Sequence, residues 1–209
     1  MKKKITTLLV FMFSLTSLVS VFAATKLSYW EADKDYVAYT PYDGSFYVYN
    51  LSSNSSFGSS FRTAINNAVT QWNKALPISV SETSVNYALS SIYGGSLNQL
   101  LPYFPDLTSN AAGITYAGVV ESSVIEVTYN NTDKEVYKLY AAGEMAVVEE
   151  TGTTATEYKN TTLHEMGHLW GWKGHSSNSS DIMYEERTNG TTLSTRDKRH
   201  LKQIYDLFY

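Results

Sequence analysis

The sequence has no cysteine, only four prolines and only four histidines among its 209 residues. Without cysteine, the chain forms no disulfide bond and carries no lipid anchor on a cysteine. It also lacks an excess of positive charge, because 20 acidic residues outnumber 16 basic ones. An acidic chain with dispersed charge is not expected to bind nucleic acid or an anionic membrane surface.

The first 23 residues have the pattern of a cleaved signal peptide. Lysines at positions 2–4 precede an apolar run from Ile5 to Val21, and small residues follow up to Ala23. Because the strongly apolar part is short for a membrane-spanning helix, we expect cleavage after Ala23 and no membrane contact afterwards. The remaining chain, residues 24–209, is long enough for one domain with its own core. We expect a secreted protein, and export without disulfides is compatible with a bacterial origin.

Upstream of the histidines, the pattern predicts a strand, a long helix and a second strand. Ser45–Asn50 is rich in aromatic residues, as strands are. Apolar residues then recur at helical spacing from Phe61 to Leu76, and Pro77 follows. Ile78–Ser81 reads as the next strand. The serine-rich stretch Ser52–Ser60 is interpreted as a loop.

The middle of the chain is predicted to be rich in strands. Gly113–Val119 and Val124–Asn130 read as two strands, and a turn is expected at Asn130–Asp133. Glu144–Val148 reads as a further strand. Residues 85–112 give no clear period beyond one helical turn at Leu97–Leu101.

Three of the four histidines fall within Leu163–His175. His164 and His168 are four residues apart, which on a helix places both imidazoles on one face, where they can share a metal ion. Glu165 directly follows the first histidine. This HExxH arrangement supplies two zinc ligands and a carboxylate that can act as a base on zinc-bound water.

The helix that carries this motif has a predicted start and end. Thr154 and Glu157 fit a capping box, with Thr154 as the N-cap. The helix is expected to run to about Trp170, and Gly171 suits the turn that would end it. That turn would send the chain back, so that His175 can approach the same metal ion.

The stretch from His164 to Met183 resembles the zinc site of the metzincin metallopeptidases, and most closely that of the matrixin branch. The family pattern is HExxHxxGxxH followed by a methionine turn, and the positions that fit it are His164, Glu165, His168, Gly171 and Met183. The third histidine, His175, comes one residue later than the pattern has it. Gly174 can absorb the added residue, because glycine tolerates most backbone angles.

The resemblance implies an α+β fold: a metzincin-like catalytic domain with a twisted mixed sheet, a long upstream helix, an active-site helix and a C-terminal helix at Thr195–Phe208. It implies a secreted zinc-dependent endopeptidase in which Glu165 is the general base on a zinc-bound water. One catalytic Zn²⁺ would be held by the three histidines, with Met183 as an apolar floor beneath it. Calcium is compatible with the resemblance, but no residue pattern places it.

The resemblance also implies how a substrate is held. The strand that contains Ile114, Thr115, Tyr116 and Ala117 would be a sheet edge, which can pair with an extended peptide. An ordinary hairpin is an equally good interpretation of that strand. Tyr184 is a weaker candidate, as support for the transition state. The expected partner is a protein or peptide substrate, and the protein is expected to be a monomer.

Three alternatives stay open. The third ligand could be Asp181 or His200, although His200 is interpreted as a structural or exposed residue. A different zinc hydrolase would use Glu185 or Glu186 as a ligand. Finally, the protein could be a secreted binding module on a metzincin fold with little or no catalytic activity, although a structural zinc site has no need for Glu165.

Overall fold

The structure is a computed structural model that describes residues 24–41, 43–116, 118, 120–139 and 143–209, without the side chains of 120–123. The predicted signal peptide, Ala117 and Val119 lie outside these residues. The strands are β1 (Thr25–Lys26), β2 (Tyr36–Tyr39), β3 (Gly44–Asn50), β4 (Val80–Glu82), β5 (Ser90–Gly95), β6 (Gly113–Tyr116), β7 (Val120–Tyr129), β8 (Thr132–Leu139) and β9 (Glu144–Val148). The helices are α1 (Ser55–Ala75), α2 (Leu97–Leu100), α3 (Ala155–Leu169) and α4 (Thr195–Tyr205).

The larger sheet has five strands in the order β4-β3-β5-β9-β6. Its first four strands are mutually parallel, and β6 joins antiparallel to β9 at the edge. Strand β6, which contains Ile114, Thr115 and Tyr116, therefore lies at a sheet edge, as predicted. The interpretation of this strand as part of an ordinary hairpin is wrong. Instead, β7 pairs with β8, in a separate four-stranded sheet of order β1-β7-β8-β2.

The β7–β8 hairpin turns at Asn130 and Asn131, where the sequence predicted a turn. Both residues have positive φ, 49° and 61°. Such a pair of left-handed residues matches the twist of a two-residue hairpin, and asparagine tolerates this conformation better than most residues.

The main core lies between the five-stranded sheet and the helices α1 and α3. Alternate residues of a strand face opposite sides, so Ile92 of β5 points into this core while Tyr93 joins a smaller cluster on the other side. Trp72 of α1 is fully buried, and its indole N–H donates to the carbonyl of Leu163 in α3 at 3.1 Å. This contact fixes the histidine-bearing helix against the longer one.

The predicted α+β class is confirmed, with a mixed sheet, a long upstream helix, a histidine-bearing helix and a C-terminal helix in the expected order. The strand at Glu144–Val148 is confirmed to the residue. The prediction of a loop at Ser52–Ser60 is wrong from Ser55 onward, because α1 begins at that residue. The Asn54 side chain accepts hydrogen bonds from the backbone N–H groups of Ser56 and Phe57, which starts the helix early.

Within the described residues, no helix is long and apolar enough to cross a membrane.

Candidate metal centre

Helix α3 begins with the capping box that the sequence predicted. Thr154 accepts a hydrogen bond from the backbone N–H of Glu157, and the Glu157 carboxylate accepts one from the backbone N–H of Thr154. The side chains of Leu163, Met166 and Leu169 are fully buried in the main core. Because these three side chains face the core, His164 and His168 lie on the face of the helix that borders a cleft.

Helix α3 ends at Leu169, and the turn that follows contains Gly171, whose φ is +110°. A Cβ at this position would collide with the backbone of Ala38 in β2, so the turn requires glycine for its close approach as well as its conformation. The N–H of Ala38 donates to the carbonyl of Gly171 at 3.0 Å. Strand β2 thus holds the end of the helix and directs the following loop.

The loop after Gly171 is held by Asp33, a residue far away in the sequence. The backbone N–H of His175 donates to Asp33 Oδ1 at 2.7 Å, and the backbone N–H of Asp33 donates to the carbonyl of His175 at 2.9 Å. These two bonds place the His175 ring beside the helix, with ring centroids 5.4 Å from His164 and 5.2 Å from His168. The added residue before His175 is accommodated in this loop, where Gly174 has a φ of +70°.

The three imidazoles form a group that can hold a metal ion. One ring nitrogen from each of His164, His168 and His175 lies within 4.8 Å of the others. The Nε2 atoms of His164 and His168 are 3.0 Å apart. Two nitrogens bound to one Zn²⁺ at about 2.0–2.1 Å in tetrahedral geometry would be separated by slightly more than 3 Å, so this spacing suits zinc.

Hydrogen bonds determine which nitrogens are free to bind the metal. His164 Nδ1 lies 2.8 Å from the carbonyl oxygen of Ile182, and His168 Nδ1 lies 2.9 Å from that of Trp172. Because a carbonyl only accepts, each Nδ1 carries the proton and each Nε2 presents a lone pair. Two lone pairs that face each other cannot form a hydrogen bond, and a shared cation would stabilise them. The donor set therefore fits a zinc ion with one open coordination position.

The electrostatic surroundings keep the three rings neutral. Burial lowers the pKa of His164, and burial together with the neighbouring His164 lowers the pKa of His168 well below its usual value. Burial and His164 also lower the pKa of His175. Neutral imidazole is the form that binds a metal, so the site is prepared for a cation at neutral pH.

Glu165 lies between α3 and the edge strand β6. Burial raises its pKa to about 7, and a hydrogen bond from the hydroxyl of Thr115 to Glu165 Oε2, 2.6 Å long, opposes this rise. A Cβ at Gly113 would lie 2.9 Å from Glu165 Oε1, so only glycine leaves room for the carboxylate here. A carboxyl group whose pKa lies near neutrality can both accept and release a proton.

The alternative third ligands lie outside the histidine group. Asp181 is fully buried and is bound by Arg196 through two hydrogen bonds, of 2.9 and 2.7 Å, and by the hydroxyl of Ser176 at 2.7 Å. Burial alone would raise its pKa, but these partners lower it. These bonds hold the turn that precedes Met183. His200 is buried, not exposed, and its Nδ1 accepts from the backbone N–H of Glu31 at 3.2 Å.

Met183 lies beneath the histidine-bearing helix. It is fully buried, and a Cβ at Gly167 of α3 would collide with its sulfur atom. The turn that carries Met183 is fastened by Asp197, which accepts hydrogen bonds from the backbone N–H groups of Ile182 and Met183 at 3.0 and 3.2 Å. Because Ile182 also accepts from His164, the same turn orients the first histidine.

The cleft in front of the histidines has a volume of about 790 Å³. Ile114 and Thr115 line it, but Tyr116 does not, since its ring packs against Phe104 and its hydroxyl bonds Asp106. Tyr184 does not line the cleft either, and Ala117 lies outside the described residues. Glu185 and Glu186 line it without joining the histidine group.

Sequence reasoning did not identify Asp33 or Gly113 as part of this site. Neither belongs to a motif, and both reach the site through tertiary contacts alone. Lys173 was not identified from the sequence either, although its side chain lines the cleft.

Comparisons with known proteins give a likeness of structure only. No family model matches the chain, and no curated protein matches its sequence. Eighty chains of solved structures match. One of them, described as "Structure of myroilysin", is 11% identical, with a TM-score of 0.41, and the match covers 84% of this chain and 94% of that chain.

Proposed function

We propose that this chain is a secreted, zinc-dependent endopeptidase of the metzincin type with a matrixin-like site. The observation that carries the proposal is the convergence of three neutral imidazoles, two with their Nε2 lone pairs face to face, beside a buried carboxylate in an open cleft. A purely structural zinc site would have no use for Glu165 in that position.

In this proposal His164, His168 and His175 hold the ion. Bound Zn²⁺ would act as a Lewis acid that polarises the scissile carbonyl and makes water more acidic. Glu165 Oε1 accepts a proton from the attacking water and passes it to the leaving amine, while Thr115 keeps Oε2 in place. Met183 supports the helix from below and binds no ion.

The substrate would be an extended peptide. Strand β6 is the edge of its sheet and borders the cleft, so its free backbone groups can pair with a peptide as an added strand. Ile114 and Thr115 lie where this pairing would occur. We further propose that the signal peptide is removed after Ala23, that the protein acts outside the cell as a monomer, and that it binds no nucleic acid.

The test combines metal analysis with hydrolysis of a mixed peptide library by residues 24–209. The control is Glu165→Gln, which keeps the size of the side chain but removes the base. We expect a folded, zinc-loaded variant with hydrolysis reduced by at least about a hundredfold, the usual scale for losing a general base. Equal cleavage by the variant would refute the mechanism. Zinc binding without any cleavage by the wild type would favour the binding-module alternative.

A further inference from the structure

Lys173 is a half-buried cation that lines the cleft. It lies in the loop before His175, which is one residue longer than in the family pattern. Its side chain lines both the main cleft and an adjoining smaller pocket. Among the described residues, no carboxylate forms an ion pair with its ammonium group, and no side chain or carbonyl accepts a hydrogen bond from it. A cation in this setting has lost part of its hydration without gaining a partner from the described part of the protein.

Arg187, the other cationic side chain among the described residues that line the cleft, has carboxylate partners. Arg187 contacts the carboxylates of Glu150 and Glu157, at 3.3 and 3.6 Å. Glu185 and Glu186 also line the cleft, yet neither lies within ion-pair distance of Lys173. Among the described residues, the acidic groups of the cleft are therefore not ion-pair partners of Lys173.

The smaller pocket shows what kind of anion fits. Its volume is about 210 Å³, and Tyr36, Ala38 and Tyr137 form its other walls. The two tyrosine rings pack edge to face, with centroids 5.9 Å apart. These walls suit methylene groups or a ring, while Lys173 lies where the pocket meets the cleft. A group with an apolar stem and a negative end would satisfy both features.

We propose that Lys173 and this pocket form a subsite for a carboxylate of the peptide substrate. The carboxylate could belong to an aspartate or glutamate side chain, or to the C-terminus of a short peptide. A charge-assisted hydrogen bond to a partly desolvated ammonium group favours the charged ligand over its neutral amide. The inference rests on the proposed function, because it names the class of peptide that the same cleft would hold.

The experiment measures peptide binding rather than cleavage, so that it does not depend on turnover. Fluorescence anisotropy gives the Kd of labelled peptides for the zinc-loaded Glu165→Gln protein. One series replaces each position in turn by Glu or by Gln. A second series compares a free C-terminal carboxylate with a C-terminal amide. The two series distinguish the two sources of the carboxylate.

We expect one position, or the C-terminus, to favour the acid over the amide on the order of tenfold, the scale of one charge-assisted hydrogen bond. This ratio should fall to about one when Lys173→Met is added, and below one with Lys173→Glu. Lys74→Met, which removes an exposed lysine of α1 outside the cleft lining, should leave the ratio unchanged. Zinc content is measured for each variant, because Lys173 lies close enough to His168 to influence its charge.

Two results would overturn the inference: no preference for an acid in either series, or a preference that persists in Lys173→Met. Both can occur in a protein that cleaves peptides well, and then the proposed function stands. Conversely, absence of cleavage by the wild type with an intact Lys173-dependent preference would refute the peptidase and leave the carboxylate subsite.

Discussion

The hydroxyl of Thr115 and the carboxylate of Glu165 are 2.6 Å apart, which joins the edge strand to the histidine-bearing helix. Thr115 was expected from the sequence to contact the substrate. Its side chain instead donates to the proposed general base, while its backbone remains at the sheet edge. Thr115 would therefore both position the Glu165 carboxylate and border the bound peptide.

Thr115→Val should impair catalysis without removing zinc. The variant loses the hydrogen bond that stabilises the ionised carboxylate, so the pKa of Glu165 should rise further. We expect kcat/KM near neutral pH to fall by about tenfold, and the acidic limb of the pH profile to move to higher pH. Thr115→Ser, which keeps the hydroxyl, should restore both. An unchanged acidic limb in Thr115→Val would show that the hydrogen bond has no role in catalysis.

His175 and Asp181 should respond differently to substitution. His175→Ala removes a ligand and should lower zinc affinity by at least tenfold, since even losses outside the ligand shell cost about 10–100-fold. Asp181→Asn should keep zinc but lose stability, because the ion pair between the buried Asp181 carboxylate and the partly exposed Arg196 is broken. A zinc titration against a chelating dye and a urea unfolding curve measure the two effects. The opposite behaviour would transfer the third ligand to Asp181.

Metal analysis of dialysed protein should give one zinc ion per molecule. After the three-histidine group, His200 is the only histidine left, and there is no cysteine. His200 is buried against Trp30 and Trp172, with ring centroids 5.1 and 4.2 Å away, where a second metal has no access. Reproducible binding of two zinc ions would contradict this prediction.

His200 should make the protein less stable in acid. Burial lowers its pKa to about 3, below the usual value of 6.5, so the folded state favours the neutral ring. The unfolded chain then binds more protons between pH 6.5 and 3. The contribution of His200 to stability is complete above pH 6.5 and is lost progressively as the pH falls toward 3, up to about 5 kcal/mol.

Urea unfolding of the metal-free protein at several pH values tests this, with His200→Gln for comparison. Glutamine keeps an acceptor for the N–H of Glu31 but does not titrate. The stability difference between the two proteins should therefore shrink as the pH falls below 6.5. A difference that stays constant down to pH 4 would show that His200 is not the acid-sensitive group.

Local signals in the sequence were sufficient for the helix that carries the site. Thr154 and Glu157 marked its start, the spacing of His164 and His168 gave its polar face, and Gly171 marked its end. Each of these depends on hydrogen bonds or side-chain spacing within one or two turns, which a single sequence displays directly.

Elements that depend on distant contacts could not be predicted in the same way. Strand β5 was missed because Ser90, Gly94 and Gly95 hide its apolar alternation, although it is central in the sheet. Gly94 is needed there because a Cβ would collide with the ring of Phe61 in α1. The contact between Asp33 and His175 likewise follows from the fold and from no local pattern.

That contact has a consequence for the order in which the protein assembles. Helix α3 can present His164 and His168 as soon as it forms, but His175 is held by a residue 142 positions earlier in the chain. Closing so long a separation is slow compared with forming a helix. During refolding, an early species should bind zinc through two imidazoles, and full affinity should appear only when the N-terminal segment docks. A zinc ion that binds most tightly to the complete three-histidine site would stabilise the finished fold more than its folding intermediates.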